Sequence, residues 1–336
     1  MITRTTTGWQ AEDWQFQLSR VVTSVKDLYQ YLELPLDSLS SARLAQLDFP
    51  LKTPQSFLEK MKKGDFNDPL LLQVLPKQQE LTLTPGFSYD PLAEASALKS
   101  RGLLHKYKNR VLVVLSGSCA INCRYCFRRH FPYQDNGLSQ QEFEDISHYV
   151  TNTPQINEVI LSGGDPLITS NKRLERFIHT LEKAPNLKRL RFHSRVPVVI
   201  PERIDEGLLR IIQSTRLKII LVTHSNHAQE LDDVFSSTMQ QLARIGVTLL
   251  NQSVLLKGVN DSALALSNLS EKLFSAGVLP YYLHLLDPVT GTSHFNVPET
   301  EGKLLIQQLL AELPGYLVPK LVKEEAGKTS KTPIPL

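Results

Sequence analysis

From Arg110 onward, short apolar runs rich in β-branched residues alternate with longer stretches of helical periodicity, and few architectures accept that pattern. The runs occupy residues 111–116, 158–163, 190–194, 218–224, 248–255 and 281–287. The helical stretches between and after them occupy residues 139–150, 172–183, 206–214, 228–245, 262–276 and 300–313. Strands alternating with helices imply right-handed crossovers and a parallel sheet. Six such repeats fall two short of a closed eightfold barrel, so the pattern predicts an α/β fold, a partial TIM-like (β/α)6 barrel, with a doubly wound sheet as the alternative. Either arrangement puts the working site at the C-terminal ends of the strands. Polar residues gather there: three cysteines after the first run, Gly163-Gly164-Asp165-Pro166 after the second, then His193-Ser194-Arg195, Thr223-His224 and Asp287 at later ends. One polar residue at a strand end marks only the start of a loop; recurrence across so many ends is harder to assign to loops alone.

The rest of the chain has a different texture. Residues 1–98 read as an irregular, mainly helical extension, with helical spacing over 14–32, 54–61 and 68–75 and a turn-rich crossing segment at 84–91. Residues 99–314 form the barrel unit and 315–336 a tail. On composition alone the end of that tail, rich in Lys, Glu, Thr and Pro, reads as disordered. An apolar fraction of 41% over 336 residues suits a protein held together by a buried core. With 37 basic and 34 acidic residues, the net charge of +3 does not suggest an electrostatic binder of nucleic acid. No apolar run approaches the roughly 20 residues needed to cross a bilayer. The polar start, MITRTTTGWQAEDWQ, lacks the apolar core of a signal peptide, so the expected compartment is the cytoplasm.

All three cysteines fall within eight consecutive residues, as Cys119-x3-Cys123-x2-Cys126 with Tyr125 before the last. An odd, clustered set is not a disulfide framework, and in a reducing compartment it points to metal or redox chemistry. Thiolates are the usual ligands of iron–sulfur clusters, and three ligands to a four-iron cubane leave one iron open, as catalytic metals require. The rival is a zinc site completed by His130, which lacks the second ligand pair such sites usually have. A non-enzymatic metal-binding module remains the corresponding functional alternative. The Gly163-Gly164 pair after the second strand fits either a tight turn or a close backbone approach to a ligand.

The spacing of the cysteines, on the loop after the first strand, resembles the radical S-adenosylmethionine (SAM) signature. The text around it is narrower. Cys126-Phe-Arg-Arg-His, Ser162-Gly-Gly-Asp-Pro-Leu, Asn251-Gln-Ser-Val-Leu-Leu, Asn260-Asp261 and Asp287 with Gly291 and His294-Phe295 resemble the lysine 2,3-aminomutase family, over about residues 68–333. Within it the chain is most similar to the bacterial enzymes that prepare (R)-β-lysine for modification of elongation factor P. The resemblance implies an isomerase that uses a [4Fe–4S] cluster on Cys119, Cys123 and Cys126, SAM, and pyridoxal 5′-phosphate (PLP). It implies free L-lysine as substrate, an electron-donor protein, and an enzyme that lysylates elongation factor P as recipient of the product. An aminomutase acting on glutamate or another amino acid is the alternative within the same family.

The resemblance also implies site residues. Ser162, Gly163, Gly164, Asp165, His224 and Gln252 correspond to the SAM pocket. A Gly-Tyr-x-Val-Pro segment followed by Lys-Thr-Pro marks the PLP lysine, matched here by 315–319 and Lys331, with Lys328 second. The family's glycine-rich run before that lysine appears only as 327–330, which implies a looser tail. Lys106, Tyr107 and Arg110 occupy the PLP phosphate positions. Arg128 corresponds to the reader of the substrate carboxylate, a task suited to a planar guanidinium. Asp287 and Glu324 correspond to the acids that hold the substrate's side-chain ammonium, Glu324 standing where the lysine enzymes have Asp.

Overall fold

The computed structural model describes residues 14–131 and 138–336. Its described strands form one ten-stranded sheet in sequence order: β1 (Leu98–Ser100), β2 (Leu103–Tyr107), β3 (Arg110–Ser116), β4 (Glu158–Gly163), β5 (Arg189–Ser194), β6 (Lys218–His224), β7 (Thr248–Val254), β8 (Leu279–His284), β9 (Lys320–Lys323) and β10 (Thr332–Pro333). β1 and β2 lead antiparallel into β3, β3 to β9 are parallel, and β10 returns antiparallel to β9. Helices Gln140–Thr151, Asn171–Glu182, Glu206–Ser214, Asp233–Arg244, Ala263–Ser275 and Glu299–Glu312 make the crossovers.

The six predicted repeats are present, and the partial TIM-like barrel is the observed class. The crossovers form where caps and apolar stripes agree. Ser139 accepts from Glu142 N at 3.2 Å while Glu142 reaches back to the Ser139 amide, closing a capping box. Leu174, Phe177, Ile178 and Leu181 then line the buried face of the next helix. Inside β4, Val159, Ile160 and Leu161 are buried in succession, as expected of a strand covered on both faces. Each such side chain contributes roughly 1.5–3 kcal/mol.

Three expectations change. The helical spacing over 14–32 resolves into two helices, Trp14–Ser19 and Val25–Tyr31. The β-branched residues between them leave the helix, Val22 pairing with Thr53 at 2.8 and 3.0 Å, and Ser24 caps the second helix. Helix Leu39–Asp48 lies in a stretch given no element. Within the tail read as disordered, Thr332 and Pro333 form β10 against β9, itself a seventh parallel strand that the sequence reading gave no element. Residues 1–13, including most of the polar N-terminus, lie outside the described residues. Among the described residues no helix is long and apolar enough to cross a membrane.

The two ends of the sheet come together through side chains. Tyr107 Oη, at the end of β2, donates to Glu324 Oε1, just past β9, at 3.0 Å. The open barrel is thus bridged by hydrogen bonding between side chains, and the strand ends around it enclose one chamber.

Candidate active site

The cysteine loop leaves β3 and is gripped from two sides. Gly164 N and Asp165 N donate to Ser116 O at 2.8 Å and Ser118 O at 2.7 Å, zipping the turn after β4 onto the cysteine loop. A Cβ on Gly164 would run into the Ser118 carbonyl oxygen, and Gly163 adopts a φ of +114°. The glycine pair therefore serves backbone-to-backbone approach within the protein. From the outside, the N-terminal extension takes hold. Arg124 is fully buried, paired through Nε with Glu80 at 2.9 Å and donating to Phe49 O at 2.7 Å. Arg129 bonds Glu80 at 3.0 Å, Asp48 at 2.9 Å and Gly291 O at 3.0 Å. The loop backbone is tied in too, Asn122 N to Lys52 O at 2.8 Å and Arg124 N to Gln73 O at 2.9 Å.

So held, the three thiols face one another. Burial, then Cys126, pushes Cys119 well up, and burial, then Cys123, pushes Cys126 up to about 12. Thiols held up in this way at Cys119 and Cys126 ionise only beside a positive partner, which fits an iron cluster. His130, the residue that would complete a zinc site, has its Nε2 3.1 Å from Thr290 O. Among the described residues no group of three His, Cys, Asp or Glu side chains could hold a single ion.

Beside the cysteines lies a polar network. Arg195, 5% exposed at the end of β5, donates through Nη1 to Cys123 Sγ at 2.7 Å and Tyr125 Oη at 2.6 Å. Its Nη2 donates to Gln73 Oε1 at 2.7 Å and Glu230 Oε2 at 3.1 Å. His224, at the end of β6 and in register with Gln252 on β7, has a buried Nε2 with no protein partner. Burial, then Arg195, lowers its pKa to about 3, so the ring is a neutral hydrogen-bonding group waiting for a ligand. Asp165 is otherwise engaged: its carboxylate accepts from Leu167 N, Ser194 Oγ, Arg195 N and Val196 N at 2.7–3.1 Å. It staples β4 to β5 rather than offering oxygens to a cofactor.

Lys331 adjoins β10, next to the end of β9. Its Nζ lies 2.7 Å from Glu324 Oε2. Lys328 is exposed and outside this group. Glu324 also meets Tyr107 and, at 3.6 Å, Lys106 Nζ, while Arg110 stacks 4.2 Å over the Tyr107 ring. Burial alone would raise the Glu324 carboxyl, but Lys331, with Lys106 and Tyr107, brings it down to about 2. Arg128 is not an empty fork: Nε and Nη2 grip Glu94 at 2.7 and 2.8 Å, and Nη1 reaches Ser162 Oγ at 3.1 Å. Asp287 makes no ion pair among the described residues. Burial, then the charge of Glu324, pushes its carboxyl up to about 7.

Several residues of this chamber carry no role in the sequence reading. His193 and His284 each leave a buried Nε2 without a partner. Both are held neutral, His193 by burial, Arg191 and Lys331, and His284 by burial and Lys331. Their signal was the strand-end position they share with His224. Glu80, Glu94, Gln73 and Glu230 had none, since their partners lie far away in the chain.

A family model described as the radical SAM superfamily matches residues 113–265. The chain is 49% identical over 326 residues to the L-lysine 2,3-aminomutase of Escherichia coli (strain K12), covering 97% of this chain and 95% of that protein. It is 34% identical over 323 residues to the L-lysine 2,3-aminomutase of Clostridium subterminale, covering 96% of this chain and 77% of that one. Among solved structures, a radical SAM methyltransferase from Sphaerobacter thermophilus matches with a TM-score of 0.50 at 18% identity, covering 66% of this chain and 68% of that one, a likeness of fold.

Proposed function

Because the chain belongs to the lysine 2,3-aminomutase family of radical SAM isomerases, we propose that it converts free L-α-lysine to (R)-β-lysine in the cytoplasm, for modification of elongation factor P. The observation that carries this reading is the pairing, at one end of one barrel, of a three-thiol loop with a lysine–acid group, Lys331, Glu324 and Asp287. The cluster with SAM supplies hydrogen abstraction from carbon when bound, and PLP carries the migrating nitrogen.

The protein's own residues position, neutralise and exclude water. Cys119, Cys123 and Cys126 hold the cluster; Ser162, the Gly163-Gly164 turn, His224 and Gln252 line the SAM side. Lys331 is the PLP lysine. Its Nζ is held in place by Glu324 Oε2 at 2.7 Å. Lys106, Tyr107 and Arg110 present donors to the phosphate. Arg128, braced by Glu94, faces the substrate carboxylate, and Asp287 with Glu324 faces the far ammonium. An acid without an ion pair, raised by Glu324 beside it, favours a cationic side chain over that of glutamate. Residues 315–336 bring Lys331 to the barrel by adding β9 and β10 to its sheet. An electron-donor protein supplies the reducing electron, and the lysylating enzyme takes the product.

The test is anaerobic reconstitution with iron and sulfide, then SAM, PLP, a strong reductant and L-lysine, with α- and β-lysine resolved by mass spectrometry. β-Lysine that disappears without SAM or PLP, or in the Lys331→Ala and Cys123→Ala variants, is the expected result. An intact cluster that cleaves SAM but leaves lysine unchanged would overturn the substrate assignment.

A further inference from the structure

Arg195 reaches a cysteine sulfur, its Nη1 donating to Cys123 Sγ at 2.7 Å. Both of its Nη groups are fixed by side chains from separate segments. Gln73 comes from the N-terminal extension, Glu230 from the turn after β6 and Tyr125 from the cysteine loop, while its plane lies over the Phe57 and Tyr125 rings at 5.3 and 5.7 Å. Tyr125 and Gln73 are themselves pinned by Asn226 Nδ2, at 2.7 and 2.9 Å. Glu230 is locked by the amides of Asn226 and His227 at 2.8 and 3.0 Å. A donor this restrained cannot swing away when the charge on the sulfur changes.

We propose that Arg195 is a positioning residue that sets how readily the cluster accepts its electron, by donating a charge-assisted hydrogen bond to the Cys123 sulfur. The inference rests on the reading that Cys123 is a cluster ligand. One electron enters the iron–sulfur unit and no proton moves, so the reduced form carries one more negative charge than the oxidised form. A fixed cation and donor at a ligating sulfur stabilises the more negative form and raises the potential. Glu230, 3.1 Å from Arg195 Nη2, opposes part of that charge and holds the effect down.

The experiment is an anaerobic redox titration of the reconstituted full chain, monitored by the EPR signal of the reduced cluster, with iron and sulfide content measured alongside. Arg195→Gln is expected to retain the cluster and shift its potential downward, so that the reduced-to-oxidised ratio at a fixed poise falls about tenfold. Arg195→Lys is expected to recover part of that loss, and Glu230→Gln to shift the potential the opposite way. An Arg195→Gln cluster that is fully loaded with an unchanged potential overturns the proposal, as does a downward shift in Glu230→Gln. If Arg195→Gln fails to load a cluster, the wild-type protein decides. Its iron–cysteine stretching modes in resonance Raman spectra are expected to move on transfer to D2O, and their staying fixed overturns the bond. A wild-type chain that binds no cluster would sink the functional reading itself, a result distinct from either of these.

Discussion

Replacing Asp287 by Asn separates the role of that residue in folding from its role in binding. In the folded protein its carboxyl is pushed from 3.8 up to about 7 by burial and by Glu324. The folded state therefore keeps a proton that the unfolded chain has released. Stability from this group is complete below about pH 3.8 and is lost as pH rises through about 7. Three units at 1.36 kcal/mol each make the full loss about 4 kcal/mol. About 3 kcal/mol of it falls between about pH 5 and pH 8, from the two units separating pH 5 from the folded value. Asn cannot ionise and escapes this loss. Urea unfolding of the cofactor-free protein is expected to show Asp287→Asn gaining about 3 kcal/mol on the wild type across that interval, with the slope unchanged. The same variant is expected to lose most β-lysine formation, since the amide offers the substrate ammonium no charge. A stability difference equal at both pH values would mean that Asp287 is already ionised in the folded chain, and would refute the reasoning.

Glu80→Gln leaves Arg124 and Arg129 buried without their shared anion and is expected to cost about 3–5 kcal/mol in unfolding free energy, read from urea unfolding. Gly164→Ala drives a Cβ into the Ser118 carbonyl, so the turn must separate from the cysteine loop. Iron retained after reconstitution is expected to fall by more than half, while far-UV circular dichroism is unchanged. Lys331→Ala is expected to abolish the visible absorbance of lysine-bound PLP and β-lysine formation together, whereas Lys328→Ala, at an exposed position, leaves both near the wild-type level.

Much of the barrel is legible because its signals are local. The runs at 158–163 and 218–224 coincide with β4 and β6, and the stretch at 206–214 with its helix, since buried runs and capped amphipathic stretches carry their own periodicity. The cysteine loop is legible for the same reason: its spacing is a short-range pattern. β9 was not, because two buried residues between lysines give no periodicity, and its stability comes from pairing with β8. Lys331 could be selected among 37 basic residues only through family resemblance. Its place beside the chamber depends on β9 and β10 adding to the sheet, which nothing between 320 and 336 announces.

The acids around the chamber show why the remainder was hidden, and why the site selects a cation. Glu80, Glu94, Glu230 and Glu324 each face a cationic side chain brought from a distant segment, Lys106 in the case of Glu324, and no helical or strand period links such positions. Asp165 is satisfied by amides and a hydroxyl. Removing these from consideration leaves Asp287, which makes no ion pair among the described residues and has a carboxyl raised to about 7. An acid left in that state is stabilised by a ligand that brings a positive charge, and destabilised by one that brings a second carboxylate. Lysine brings an ammonium at the end of its side chain and glutamate a carboxylate. The electrostatics of this unpaired side chain, set by burial and by the neighbouring Glu324 charge, thus favour the lysine reaction.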